Sequence, residues 1–179
     1  VAANQPNYKW EFNLVEDNQA NAFCLPGGKV VVYTGILKYA KNDDQLATVI
    51  SHEVAHALAR HGAERVTQGM IQQGVGLIGS VAVAATAPQY QNAFNQAYGL
   101  GSNLGVMLPY RRMQEREADE IGIYLMHKAG YNVNEATKFW ENMSEGKSGG
   151  NDFFFTYPSS QNRTKDIQTV INKIGNEAK

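Results

Sequence analysis

Cysteine is nearly missing from this chain of 179 residues: Cys24 stands alone. That excludes an internal disulfide framework and a Cys-rich zinc knuckle, and leaves histidines and carboxylates as the donors for any metal. Charge is scarce as well. Charged residues make up 18% of the chain, below the usual ~25%. The 16 Lys and Arg against 17 Asp and Glu give a formal net charge of -1, with no run of one sign. No basic face is built for nucleic acid, which is not an expected partner. A long apolar run is also lacking. Gly74 to Ala87 is weakly apolar, diluted by Gln72, Gln73 and Ser80, and falls short of the roughly 20 residues of a spanning helix. A transmembrane segment is therefore not expected. Neither a basic n-region nor an apolar h-region opens the chain at Val1, so its start assigns no compartment. What is present is a normal 43% of apolar residues, enough for one compact domain over residues 1–179.

Trp10 to Val15 alternates, with Trp10, Phe12 and Leu14 on one side, as in a half-buried strand. Ala20 to Cys24 reads as a second strand, Pro26-Gly27-Gly28 as a turn, and Lys29 to Tyr33 as a β-branched third strand. Asn42 with Gln45 resembles a capping box and starts a helix expected to reach about Arg60, with Gly62 near its stop. From Val66 to Tyr110 there is no Asp, Glu, Lys or Arg. The favoured reading is a buried or cleft-covering helix ended by Pro88, then an Asn/Gln/Gly-rich loop to Pro109; the alternative is a mobile lid or a membrane-facing surface. Further helices are expected over 110–129 and 134–145, separated by Gly130. A last helix, capped by Ser159 or Ser160, carries the stripe Ile167, Val170, Ile171 and Ile174. The fold class is α+β, mainly helical, with a small N-terminal sheet packed on the helix that follows Asn42.

That helix contains His52-Glu53-Val54-Ala55-His56. Residues i and i+4 differ by about 40° around the axis and roughly 6 Å along it, so two imidazoles can reach one metal ion. Glu53, about 100° from His52, is placed to touch a water on that ion and to act as general base. Leu46, Ile50, Val54, Ala57 and Leu58 share one side of the wheel. Gln45, Thr48, His52, Ala55, His56 and Ala59 share the other, expected to floor a cleft.

A catalytic zinc needs a third protein ligand and an open position. His61 lies about 180° from His52 and is expected to be a helix-end residue. Glu115 is the better candidate. Taking it as zero, Ala118, Asp119, Gly122, Leu125, Met126 and Ala129 fall within about 80°, whereas Glu117 and Glu120 fall opposite. Two carboxylates on a packing face are costly unless a cation or donor meets them. Glu115 as ligand and Asp119 as acceptor for the far ring N–H of a ligating histidine satisfy that condition.

HEVAH followed by Glu115-Arg116-Glu117-Ala118-Asp119 resembles the zinc endopeptidase family that includes the CAAX prenyl protease, the HtpX-like membrane proteases and the BepA- and LoiP-like envelope proteases. Asn21-Ala22-Phe23, Pro26-Gly27-Gly28, Thr34-Gly35 and Arg60 to Arg65 are similar to its soluble members. The resemblance implies a gluzincin-type domain with one Zn2+ held by His52, His56 and Glu115, and Glu53 as the catalytic base. It further implies that Asn21, Ala22 and Phe23 lie on an edge strand that binds extended protein or peptide substrates. Where many relatives have a His, this chain has Tyr157. Tyr157 and Arg163 are the candidate oxyanion donors, and a structural salt bridge is the alternative for Arg163. The expected activity is endoproteolysis of unfolded or misassembled envelope proteins in the bacterial periplasm or cell envelope. The resemblance also allows for a membrane anchor outside residues 1–179 and for association with membrane or envelope assembly machinery. The competing reading is a chaperone-like assembly factor that holds clients along the edge strand with little cleavage.

Overall fold

The computed structural model describes residues 8–145 and 162–177. They fall into two compact units, one formed by the segments up to Ala59 and from Glu115 onward, the other by Arg60–Gln114.

The first unit begins with β1 (Glu11–Val15), β2 (Ala22–Leu25) and β3 (Lys29–Tyr33). The strand order is β1-β3-β2, with β1 parallel and β2 antiparallel to β3. The β-branched run of β3 is thus the central strand, where Val30 and Val32 are buried beside Ala22. The register pairs Phe12 with Val30 and Leu14 with Val32, yet Phe12 is 56% and Leu14 64% exposed. Alternation located the apolar side of β1 correctly, but α1 (Asp43–Leu58) packs over β2 and β3, leaving β1 uncovered.

The Gln45 amide donates to Asn42 Oδ1 at 2.8 Å, and the Lys41 amide to Gln45 Oε1 at 2.8 Å, so the capping signal starts α1 as read. The helix stops at Leu58, earlier than Arg60, because Arg60 turns into the left-handed region with φ 58°. His61 consequently opens the next helix instead of closing this one. On the polar side of α1, Gln45, Thr48 and His52 are buried and His56 is half-buried. Among the described residues, α4 (Leu108–Lys128) and α5 (Glu135–Glu145) meet Thr48 and Gln45 there. Gln45 Nε2 donates to Glu135 Oε2 at 2.8 Å, and Thr48 Oγ1 meets Met126 Sδ at 3.5 Å. Gly122 lets α4 approach closely: a Cβ there would lie 3.2 Å from the backbone nitrogen of His52. Gly130, at φ +83°, ends α4. The last helix, α6 (Arg163–Glu177), buries Ile167, Ile171 and Ile174 beside Phe139 and Met143 of α5. The residues read as its cap, Ser159 and Ser160, lie outside the described set.

In the second unit the charge-free segment is a helical hairpin. Helix α2 (His61–Thr86) runs 26 residues and reaches a mean hydropathy of 1.3 over its most apolar window. It is thus long and apolar enough to cross a membrane. The expected buried helix is not found: His61 is the one buried residue in α2. Beyond Pro88 the chain forms a short 3-10 turn and then α3 (Gln91–Ser102), where a loop had been expected. Asn and Gln favour turns only weakly, and packing against α2 overrides them.

Two substitutions test the first unit. Gly122→Val drives a branched side chain into the α1 backbone and lowers the stability of unfolding by about 1–3 kcal/mol, read as a reduced urea midpoint at constant slope. Glu135, hydrogen-bonded by Lys138, Asn42 and Gln45, has its carboxyl pKa depressed to about 2. The unfolded value is about 4.3, so its stabilisation is full above that pH and lost as pH falls towards 2. Glu135→Gln is expected to be less stable at neutral pH and to show a shallower loss through that acid window in thermal melts.

Candidate metal centre

Because α1 presents His52 and His56 one turn apart and α4 presents Glu115 opposite them, three donors converge. The Nε2 atoms of the two imidazoles are 3.1 Å apart. Glu115 places Oε2 3.1 Å from His52 Nε2 and Oε1 3.3 Å from His56 Nε2. His52 and Glu115 are buried and His56 is half-buried. Bonds of ~2.0–2.1 Å in a tetrahedral site put donor atoms about 3.3–3.4 Å apart, so the cluster is dimensioned for such an ion, with three donors among the described residues.

Behind the donors sits a second layer of charge. Asp119 Oδ1 is 2.9 Å from His52 Nδ1 and accepts from Arg163 Nη2 at 2.6 Å. The Arg163 guanidinium lies over the Trp140 ring, its central carbon 3.4 Å from the centroid, and Trp140 meets the His52 ring edge-on at 6.0 Å. Burial opposes the imidazolium form of His52, yet the hydrogen bonds to Asp119 and Glu115 prevail and push its pKa up to about 9. Burial likewise opposes the ionised form of Glu115, but hydrogen bonds from His52 and His56 hold it well below the usual carboxylate range. Asp119 is held low, against its burial, by the charge of Arg163 and by His52. Two buried carboxylates that stay ionised demand positive charge between them, which a proton on His52 or a divalent cation can supply.

The residues singled out in the sequence fare differently. His52, His56, Glu115 and Asp119 come together. Glu53 is buried on α1, and its charge, after burial, helps push the Cys24 thiol up to about 11, so β2 passes close to it. Asn21 immediately precedes β2, which contains Ala22 and Phe23 and lies at the sheet edge; Phe23 packs edge-on against Tyr33 at 5.9 Å. Arg163 reaches Asp119, behind the His52 ring, and stands 3.9 Å from Glu115 Oε2. Tyr157 lies outside the described residues. Sequence reasoning missed Trp140. It belongs to the buried stripe Ala136, Phe139, Trp140 and Met143 of α5, whose periodicity marks a core face without revealing that one ring also borders the ligands.

A helix-borne His-x3-His pair completed by a carboxylate from a second helix defines the metallopeptidase class. The chain belongs to Peptidase family M48, whose sequence profile matches residues 1–171. Among similar proteins, the mitochondrial metalloendopeptidase OMA1 of Schizosaccharomyces pombe is 40% identical over 163 residues, covering 89% of this chain and 46% of that protein. The OMA1 of Saccharomyces cerevisiae is 35% identical, covering 92% and 48%. The β-barrel assembly-enhancing protease of Escherichia coli is 29% identical, covering 96% and 36%. The chain thus spans less than half the length of these relatives. The resemblance to envelope proteases extends equally to proteins named for mitochondria.

Asp119→Asn should weaken metal binding by about 10–100-fold, measured by competition with a chromogenic chelator. Glu120→Gln, one residue on and exposed, should leave the affinity unchanged.

Proposed function

We propose that the chain is a zinc-dependent endopeptidase that hydrolyses peptide bonds of unfolded or misassembled envelope proteins, with the bacterial periplasm or cell envelope as its location and envelope assembly machinery as its setting. The observation that carries this reading is the convergence of three donor atoms within 4.8 Å of one another, two of them on the same turn of α1 as Glu53. His52 and His56, through Nε2, and Glu115 would hold the ion. When bound, zinc acidifies a water and polarises the scissile carbonyl.

The chain's own residues supply the rest. Glu53 accepts the proton of the attacking water and delivers it to the leaving amine. Asp119 accepts from His52 Nδ1–H, which leaves the Nε2 lone pair free for the ion. Arg163 is assigned to positioning Asp119, since its Nη2 is spent there at 2.6 Å. Tyr157 is the proposed donor to the oxyanion. Substrate adds to the edge of β2 at Asn21, Ala22 and Phe23 through main-chain hydrogen bonds. The influence of Glu53 on the Cys24 thiol of β2 supports that placement.

The test is cleavage of unfolded casein by metal-loaded protein. Glu53→Gln should keep its zinc by elemental analysis and lose at least about 10²-fold in kcat, and a chelator should abolish wild-type cleavage. Casein binding without cleavage, indifferent to Glu53→Gln, would instead establish the chaperone-like function.

A further inference from the structure

We propose that α2 lies in the interface of an anionic lipid bilayer, with its aliphatic half immersed and α3 on the water side. The observations come from the hairpin alone and do not depend on the metal centre.

Met70, Ile71, Val75, Leu77, Ile78 and Val81 are all more than half exposed, up to 73% at Ile78. At 100° per residue they occupy one sector of roughly 160°. Gln72, Gly76, Gly79 and Ser80 occupy the other side, and that side meets α3. A Cβ at Gly76 would lie 2.7 Å from the Tyr98 ring, and one at Gly79 would lie 2.5 Å from the Phe94 ring. Gln72 Nε2 donates to Ser102 Oγ at 2.5 Å, and Tyr98 Oη donates to the Gln72 carbonyl at 2.8 Å. The small and polar half of α2 is therefore used up inside the hairpin, while the large aliphatic half has no partner among the described residues of this unit. The outer side of α3 carries exposed Asn92, Asn95 and Gln96. Leu100, 66% exposed, and Ala93 and Ala97 share that side, so the hairpin is apolar on α2 and mixed, with amides prominent, on α3.

Three features select lipid over a protein partner. Between Met70 and Ala85 the exposed sector holds only Met, Ile, Gly, Val, Leu and Ala side chains. Specific protein interfaces carry about one hydrogen bond per 100–200 Å², and this surface has no side chain to make one. Of the polar groups that border it, the hydroxyls of Thr67 and Thr86 are already donated to the carbonyls of Ala63 and Ala82 at 3.0 and 2.8 Å, which leaves the exposed Gln73 amide, about 40° beyond Leu77, as the one hydrogen-bonding side chain at its margin among the described residues. The ionic groups of residues 60–114 stand only at the open end of the hairpin, where Arg65 Nε donates to Gln114 Oε1 at 2.6 Å and Tyr110 Oη to Glu64 Oε2 at 2.8 Å: four arginines against one glutamate, in a chain whose net charge is -1. Arg60, Arg111 and Arg112 are exposed, which complements anionic headgroups. A helix apolar on one side only lies along the surface instead of spanning it.

The experiment is sedimentation of the full chain with vesicles of phosphatidylcholine alone or mixed with phosphatidylglycerol. Binding is expected to the mixed vesicles, weaker to phosphatidylcholine and weaker in high salt. Leu77→Gln combined with Ile78→Gln, both at exposed positions, should reduce binding about tenfold or more with unchanged circular dichroism. In a separate protein, Ile78→Trp should give fluorescence quenched by bromine-labelled acyl chains. Sedimentation unaffected by the double substitution, or an unquenched tryptophan, overturns the proposal. So does a lipid-free dimer that the same two substitutions dissociate, since the face would then belong to a second copy.

Discussion

Two acidic side chains on the packed face of α4 govern this structure. Glu115 and Asp119 are 5% and 8% exposed, and desolvation alone would force protons onto both. They remain ionised because, among the described residues, cations and donors meet them: His52, His56 and Arg163. The electrostatic condition fixes geometry. Helices α1 and α4 must come within contact of Gly122, His52 must turn its Nδ1 towards Asp119, and Arg163 must be delivered by α6 and pinned flat on Trp140. The ligand nitrogens face one another only because the far sides of the rings are so constrained.

Much of that arrangement was legible in the sequence. Helical phase alone separates Glu115 and Asp119 from Glu117 and Glu120, and the i, i+4 spacing of His52 and His56 is sufficient to aim both at one ion. The capping pair Asn42 and Gln45 and the φ-positive Gly130 are local signals, and they position their helix ends as local signals should. Partnerships across distant segments were less accessible. Gln45 and Thr48 look like cleft-facing polar residues until Glu135 and Met126 are seen opposite them, far along the chain. The side of β1 bearing Phe12 and Leu14 was found by alternation, but whether a helix covers it is decided by tertiary packing. Arg163 could be nominated from a family pattern as an oxyanion donor, yet its contact with Asp119 has no counterpart in spacing.

The charge-free segment shows a different limit. Its Asn and Gly content reads as loop because those residues are poor helix formers in isolation. In the folded chain Gly76 and Gly79 serve as sockets for Tyr98 and Phe94, so the same glycines that weaken the local helical preference create the contact that holds α2 to α3. Composition identified the anomaly, and only the pairing of small residues with aromatic rings explained it.

The hairpin unit is an insertion: the chain leaves the first unit after Ala59 and re-enters it at Glu115, and a metal held by His52, His56 and Glu115 would close that excursion into a ring. A closed ring loses entropy only with the logarithm of its circumference. Lengthening, shortening or resurfacing the excursion therefore changes the strength of the clasp little, provided its two ends return to the same places. Where the protein resides and what chemistry it carries can accordingly vary on separate stretches of one polypeptide.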